Sequence, residues 1–238
     1  VKKTRLRRWI RILYKVFLFM FFSNLVYVVF CKWLYPPITL TQAYYIAESH
    51  LHGTSTIKRD YVPYDSISAN IKLAVIASED LRFGAHNGID WKAIKKAREF
   101  NSKHRDSVVF GASTITQQTA KNVFLWKGRS YFRKVLEGYF ALMINAVWGK
   151  RRTLDIYLNV IEFGKGVYGI EAASNHFFKK KSAYLTEEES ARLAACLPSP
   201  QTLNPLNQSK NFMDRVAQIK DLMAFKSSDP DLEAIIYQ

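Results

Sequence analysis

The hydrophobic pattern changes character once along this chain, near residue 36. Residues 16–31 contain no charged side chain and are rich in Phe, Leu and Val. Lys15 and Lys32 flank the run, where long basic side chains lay their stems along apolar surroundings and lift their charges into water. Trp33 and Tyr35 suit the headgroup zone of a bilayer. Residues 12–35 thus reach the roughly 20 residues needed to cross a membrane, and Pro36-Pro37 is expected to end the helix. A cleaved secretory signal is the rival reading. Against it, the run is longer than a usual signal core and ends in Cys-Lys-Trp-Leu-Tyr, with no small-x-small cleavage site. The expectation is an uncleaved span over 12–35, a basic tail over 1–11, and one domain over 36–238.

Beyond residue 36 the period becomes that of amphipathic helices. Residues 71–78 run apolar into Glu79-Asp80, where a spacing of four would put Glu79 and Phe83 on one helix face. Residues 91–100 follow a turn at Gly88. Thr114 and Gln117 stand at capping-box spacing after Gly111, which predicts a helix over 113–124. Residues 131–148 read as a long helix ended by Gly149, 152–159 as another, and 170–178 as a third after a glycine-rich turn. Thr186 with Glu189 caps a helix that stops at Pro198, and 211–225 forms a last one. Residues 95–105 and 198–210 are polar and read as mobile loops. Alternating strand patterns are scarce and no repeat is visible, so the fold class is all-α, with 238 residues enough for one good-sized core.

Charge sharpens the membrane reading. The formal net charge is +15, and residues 1–15 carry seven basic side chains and no acidic one, leaving about +8 for the rest. The positive-inside bias keeps that end in the cytoplasm and sends everything after residue 35 to the other side. A basic body suits a polyanion, an anionic bilayer or a phosphorylated substrate, and charge alone does not choose. The two cysteines, Cys31 and Cys196, fall in an apolar run and a helix, which argues against a disulfide framework.

Three groups carry candidate chemistry. Glu79-Asp80 ends an apolar segment and is followed by Phe83, His86 and Gly88. A desolvated carboxylate gains proton affinity and becomes a useful base, whereas a solvated helix end is the bland alternative. Gly111 to Gln118 opens a helix, with Lys121 and Asn122 in its second turn, and Thr114, Gln118 and Lys121 share one face. Such an N-terminus is a natural phosphate site or simply a well-capped helix. Arg133, Lys134 and Glu137 lie a turn apart, which in isolation reads as a surface ion pair. Gly164, Gly166 and Gly169 match a dinucleotide fingerprint, but helix rather than strand precedes them. Ser55-x-x-Lys58 opens a penicillin-sensitive transpeptidase pattern with no Lys-Thr-Gly to follow. The five histidines show no metal-ligand spacing and no partner for a nucleophilic serine.

The order of these groups is more telling than any one of them. E-D-L-R-F-x-x-H-x-G-I-D (79–90), G-A-S-T-I-T-Q-Q-T-A-K-N (111–122), R-K-x-x-E (133–137), K-R-R-T-L-D-I-Y-L-N (150–159) and G-x-G-x-x-G-I-E-A-A-S (164–174) occur in sequence. Over about residues 60–205 the chain resembles the peptidoglycan glycosyltransferase family, whose domain also stands at the front of class A penicillin-binding proteins. With no transpeptidase portion, it looks like a monofunctional member. The resemblance implies a lysozyme-like helical domain with a membrane-facing lobe, on the bacterial inner membrane with the domain in the periplasm. It implies lipid II as substrate, with polymerisation to β-1,4 glycan and release of undecaprenyl pyrophosphate. Glu79 corresponds to the base and Glu137 to the second essential carboxylate. Lys121, Arg133 and Lys134 would hold pyrophosphate, with Ser113, Thr114, Gln117 and Gln118 lining the same cleft; Asp80, Phe83, His86 and Asn122 complete the expected substrate-binding set. Three positions depart from the pattern: Ala112 for a second glycine, Phe110 for a frequent arginine, and Asp155 for the commoner glutamate.

No cofactor is required by this chemistry; Mg²⁺ or another divalent cation stays open, although no Asp-rich ligand set is visible. Expected partners are lipid II, the growing glycan, the bilayer, and proteins of cell division or elongation, but not nucleic acid. A lysozyme-like lytic glycosidase and a non-catalytic polyanion-binding scaffold are the competing readings. The first must protonate an alkoxide leaving group and has less use for a cationic pocket. The second has no use for both glutamates.

Overall fold

The computed structural model describes residues 2–51, 57–104, 111–128 and 130–237, with side chains from residue 7 onward. Ser55, Arg105 and Phe110 lie outside the described residues, as do the side chains of Lys2, Lys3 and Arg5. Ten α-helices and three very short strands form among the described residues, in line with the all-α expectation.

Helix α1 (Lys2–Phe30) is a single rod. Its stretch Arg7–Phe30 has a mean hydropathy of 1.9 and is long and apolar enough to cross a membrane. Phe17, Phe19, Met20, Phe22 and Val26 are all more than half exposed, and a helix that is apolar on its outward faces calls for an apolar solvent. The boundaries differ from those expected. The basic segment from Lys2 belongs to the same helix, and the helix stops at Phe30 rather than Tyr35. Lys32 N–H and Trp33 N–H bond to Val29 and Phe30 carbonyls three residues back, which tightens and closes the last turn before Pro36 is reached.

The main lobe is built on α3 (Ala69–Glu79), whose residues 71–77 are all buried. Helices α8 (Glu187–Cys196) and α9 (Lys210–Lys226) pack against it. Thr186 and Glu189 form the predicted capping box at the start of α8. The C-terminal helix α10 (Pro230–Tyr237) seals one side: Tyr64 donates its hydroxyl to Ile235 O at 2.8 Å, and Lys72 Nζ lies 3.9 Å from the centre of the Tyr64 ring. Cys31 and Cys196 are buried free thiols.

The second lobe pairs α5 (Ile115–Phe124) with the first half of α6 (Tyr131–Val160), next to α2 (Leu40–Leu51). As expected, α6 is interrupted at Gly149, which takes φ 70° and ψ −175°. A Cβ there would meet nothing within 4 Å, so the requirement for glycine is torsional. Helix α4 (Trp91–Lys103) is longer than predicted, because the polar stretch from residue 95 continues the helix to Lys103 instead of forming a loop. Asp90 starts it by accepting from the Lys92 and Ala93 amides at 2.9 Å each.

Helix α7 (Ile170–Phe178) follows a three-stranded patch missed by the pattern: β1 (Lys58–Arg59), β2 (Glu162–Gly164) and β3 (Val167–Tyr168), ordered β1-β3-β2. The glycine-rich segment is this β2–β3 hairpin. Gly169 has φ 83°, and a Cβ on it would come within 2.7 Å of Asn159 O. Close packing, rather than a nucleotide, explains that glycine.

Candidate active site

The end of α3 and the start of α5 are joined by two neighbouring carboxylates. Asp80 caps the C-terminus of α3 and accepts from the Ile115 amide at 3.0 Å, so a negative charge sits on the first turn of α5. His86 Nε2 bonds the same carboxylate at 3.0 and 3.1 Å. Glu79, the last residue of α3, accepts from Gln118 Nε2 at 2.7 Å. Thr114 accepts from the Gln117 amide in the predicted capping box and donates to Gly88 O at 2.6 Å.

This arrangement corrects the expected helix face shared by Glu79 and Phe83. Helix α3 ends at Glu79, so Phe83 begins a separate 3₁₀ turn and is fully buried instead of sharing a helix face with Glu79. Asp80, His86, Thr114 and Gln117 are also buried, and their bonds are made within the protein. These five side chains lie inside the protein, behind the exposed face of α5. Glu79, Ser113, Gln118, Lys121, Asn122, Arg133, Lys134 and Glu137 do come together along α5 and the start of α6.

Burial raises the Glu79 carboxyl above its usual range. The Gln118 hydrogen bond, the Arg215 guanidinium and the Lys121 ammonium act against that, while Asp80 reinforces it. Lys121, one turn beyond Gln118, is lowered by burial and by Arg133 and Lys134, and is held up by Glu137 and Glu79. Both glutamates therefore act on the same ammonium.

Glu137 is 3% exposed. Arg133 Nη1 lies 3.2 Å from one of its oxygens, and Lys134 Nζ bonds the other. The pair expected at the surface thus has a buried carboxylate and a half-buried guanidinium, and the exposed Lys134 extends it by donating to Ser113 Oγ at 2.9 Å. Arg133 Nε is buried with no hydrogen-bond partner among the described residues.

A cavity of about 390 Å³ opens beside this cluster. Lys121, Asn122 and Arg133 line it together with Trp126, Lys127, Tyr168 and Glu162, four residues that sequence reasoning did not select. It also overlooked Tyr157, fully buried, which donates to Gln118 Oε1 at 2.9 Å and so directs the Gln118 amide N–H toward Glu79. Tyr157 was visible in the fourth motif but read only as part of a helix. Arg215 comes from α9, outside every motif, and nothing in the sequence marks it.

Among the described residues no group of three or more His, Cys, Asp and Glu side chains converges as a metal-ligand set. Both carboxylates of the cleft are engaged by Gln118, Arg133 and Lys134, so these residues fit a divalent cation poorly.

The geometry agrees with what the chain is similar to. The profile of the transglycosylase family matches residues 47–224. Among curated proteins, the biosynthetic peptidoglycan transglycosylase of Shewanella frigidimarina is 48% identical over 70% of this chain and 73% of its own. That of Xanthomonas axonopodis pv. citri is 45% identical over 83% and 80%, respectively. That of Bdellovibrio bacteriovorus is 41% identical over 92% and 86%. With these matches along most of its length, the chain belongs to the transglycosylase family.

Proposed function

We propose that this peptidoglycan transglycosylase joins lipid II units into β-1,4 glycan, with Glu79 as base and the Lys121–Arg133–Lys134 cluster as the diphosphate site. One observation carries the reading. A single helix, α5, presents Gln118 to Glu79 on one turn and Lys121 to the cation-lined cavity on the next. The incoming 4-hydroxyl is a poor nucleophile near neutral pH and needs a base. Glu79 takes its proton as the O4–C1 bond forms, and the C1–O bond to the diphosphate breaks with its electron pair leaving on the phosphate oxygen. That oxygen departs as a stabilised anion, so it calls for cations and not for a proton donor. Attack opposite the leaving group inverts an α-linked donor to a β-linked product. Glu137 holds the cations in place.

The span α1 anchors the chain in the inner membrane, with the basic end in the cytoplasm and the domain outside. Tyr131, Phe132, Val135 and Leu142 of α6 are between 50% and 96% exposed. They support a membrane-facing lobe, because clustered exposed aromatics suit the bilayer interface. Division or elongation proteins are the partners expected around it.

Incubation with lipid II and, separately, with preformed glycan tests the reaction. Polymer from lipid II, with intact glycan left uncut and EDTA without effect, is the expected result. Cleavage of glycan would instead assign the lytic reading, and salt-sensitive binding without turnover would assign the scaffold.

The hydrogen bond from Tyr157 gives a second test. In Tyr157→Phe the Gln118 amide is free to turn its oxygen toward Glu79, removing a bond that favours the ionised base. Since a base works only when ionised, the rising limb of the pH–rate profile should move to higher pH. kcat should fall about tenfold, the equivalent of one hydrogen bond of ~1.4 kcal/mol. A rising limb that stays in place removes Tyr157 from this role.

A further inference from the structure

The N-terminal helix is held to the domain by much more than its chain connection. Val28 and Cys31 are 0% and 1% exposed. Trp148 Nε1 donates to Val28 O at 2.7 Å, and Arg152 donates to Cys31 O through Nε at 3.2 Å and Nη2 at 3.0 Å. Both carbonyls belong to the end of the helix, where the last backbone acceptors lack intrahelical partners. A guanidinium there also complements the negative end of the helix dipole.

The connection continues past the helix. Arg152 lies over the Tyr35 ring at 4.5 Å, and the Tyr35 hydroxyl donates to Asp155 at 2.9 Å. Asp155, which departs from the family pattern, also pairs with Arg152. Tyr35 stacks on Tyr61 with ring centres 5.2 Å apart, and Tyr61 donates to Pro36 O at 2.8 Å. Deeper along α1, Tyr27 meets Phe124 at the end of α5 and Phe21 meets Tyr139 of α6. These are the two helices that carry the cation cluster. A flexible tether is a polar, solvated linker; this joint is stacked, buried and bonded at Val28, Cys31, Tyr35 and Pro36.

We propose that α1 is a rigid positioning element of the active site. The Trp148–Arg152–Asp155 clamp fixes the height and tilt of the cleft over the bilayer, so a lipid-held diphosphate meets Lys121 and Arg133 in register. The proposal rests on reading α1 as a membrane span and the substrate as lipid-linked. None of the clamp residues lines the cavity, so their effect depends on whether the substrate is itself confined to a bilayer.

That dependence supplies the test. The full-length protein in lipid nanodiscs is assayed with bilayer-embedded lipid II and with a short-chain, water-dispersible analogue, as wild type and as Trp148→Phe/Arg152→Met. Spin labels on Leu13→Cys and Tyr184→Cys, both exposed positions, report the span-to-domain distance, while the native thiols are buried. Wild type should give a narrow distance distribution that broadens in the double variant. kcat/KM for the embedded substrate should fall at least about tenfold, since misplacement by an ångström is enough for such losses, with the dispersed substrate changed less than about twofold. Tyr35→Phe, which keeps the ring stack, should show the same preference more weakly. A variant that merely unfolds would lose both substrates alike, and that outcome overturns the proposal. So does a broad wild-type distribution, or a double variant that keeps the embedded substrate. Failure of wild type to polymerise either substrate would instead count against the proposed reaction, while the distance measurement would still report on the clamp.

Discussion

Glu79→Gln should fold as wild type does and lose polymerisation by about 10²–10⁴-fold, the contribution of a general base, or roughly 3–5.5 kcal/mol of barrier. The fold is expected to survive because the glutamine oxygen still accepts from Gln118, whose amide is oriented by Tyr157. Linkage adds a sign. Burial raises the folded-state pKa of Glu79, so its ionisation in the folded protein costs stability, and that cost grows as pH rises through the raised value. Removing the charge should stabilise the variant relative to wild type as pH rises from the ordinary carboxylate range through the raised value, with the difference constant above it. Thermal melts alongside initial rates of lipid II consumption check both halves. Turnover near the wild-type level would remove Glu79 from the role of base, whatever the melting temperature.

Glu137→Gln is expected to combine a large kinetic loss with a loss of stability, the opposite pairing. Glu137 is nearly inaccessible and balances Arg133 and Lys134 directly. Removing that charge strands chiefly Arg133, whose side chain is 11% exposed, while Lys134 at 48% keeps its contact with water, so the cost is about 3 kcal/mol, the lower end for a broken buried pair. For a domain of this size that corresponds to a fall in Tm of roughly 10 °C. Polymerisation should fall about 10²-fold as the cations lose their placement. The pH profile separates this role from that of Glu79. Glu137 supports the charged form of Lys121; without it, the ammonium loses its proton at lower pH and the falling limb of the profile moves toward acid. An unchanged falling limb would show that the two residues are not coupled.

Much of this cleft was legible because its parts use local signals. Thr114 and Gln117 announce the start of α5 by spacing alone, and Gly149 announces the break in α6. What stayed hidden was decided by burial, which sequence spacing does not encode. Arg133 and Glu137 would show the same interval on a solvated helix face. Phe83 looked like a partner for Glu79 only if α3 continued one more turn. Arg215 and Tyr157 reach Glu79 from distant parts of the chain, the first by its charge and the second through Gln118. Helix α2 was missed because its only buried side chains, Gln42 and Ser49, are polar, leaving no apolar stripe to read. The apolar N-terminal helix was recognised but its end was misplaced. The carbonyls that finish it are taken by Trp148 and Arg152, 120 and 121 residues away.

The break at Gly149 has a further consequence. One uninterrupted stretch of chain serves both halves of the enzyme, with the cation-bearing segment before the break and the segment holding Tyr157 after it. The angle between the two is written in the torsions of a residue with no side chain, where an added Cβ would meet nothing within 4 Å. The aperture of the groove therefore hangs on one position in the backbone.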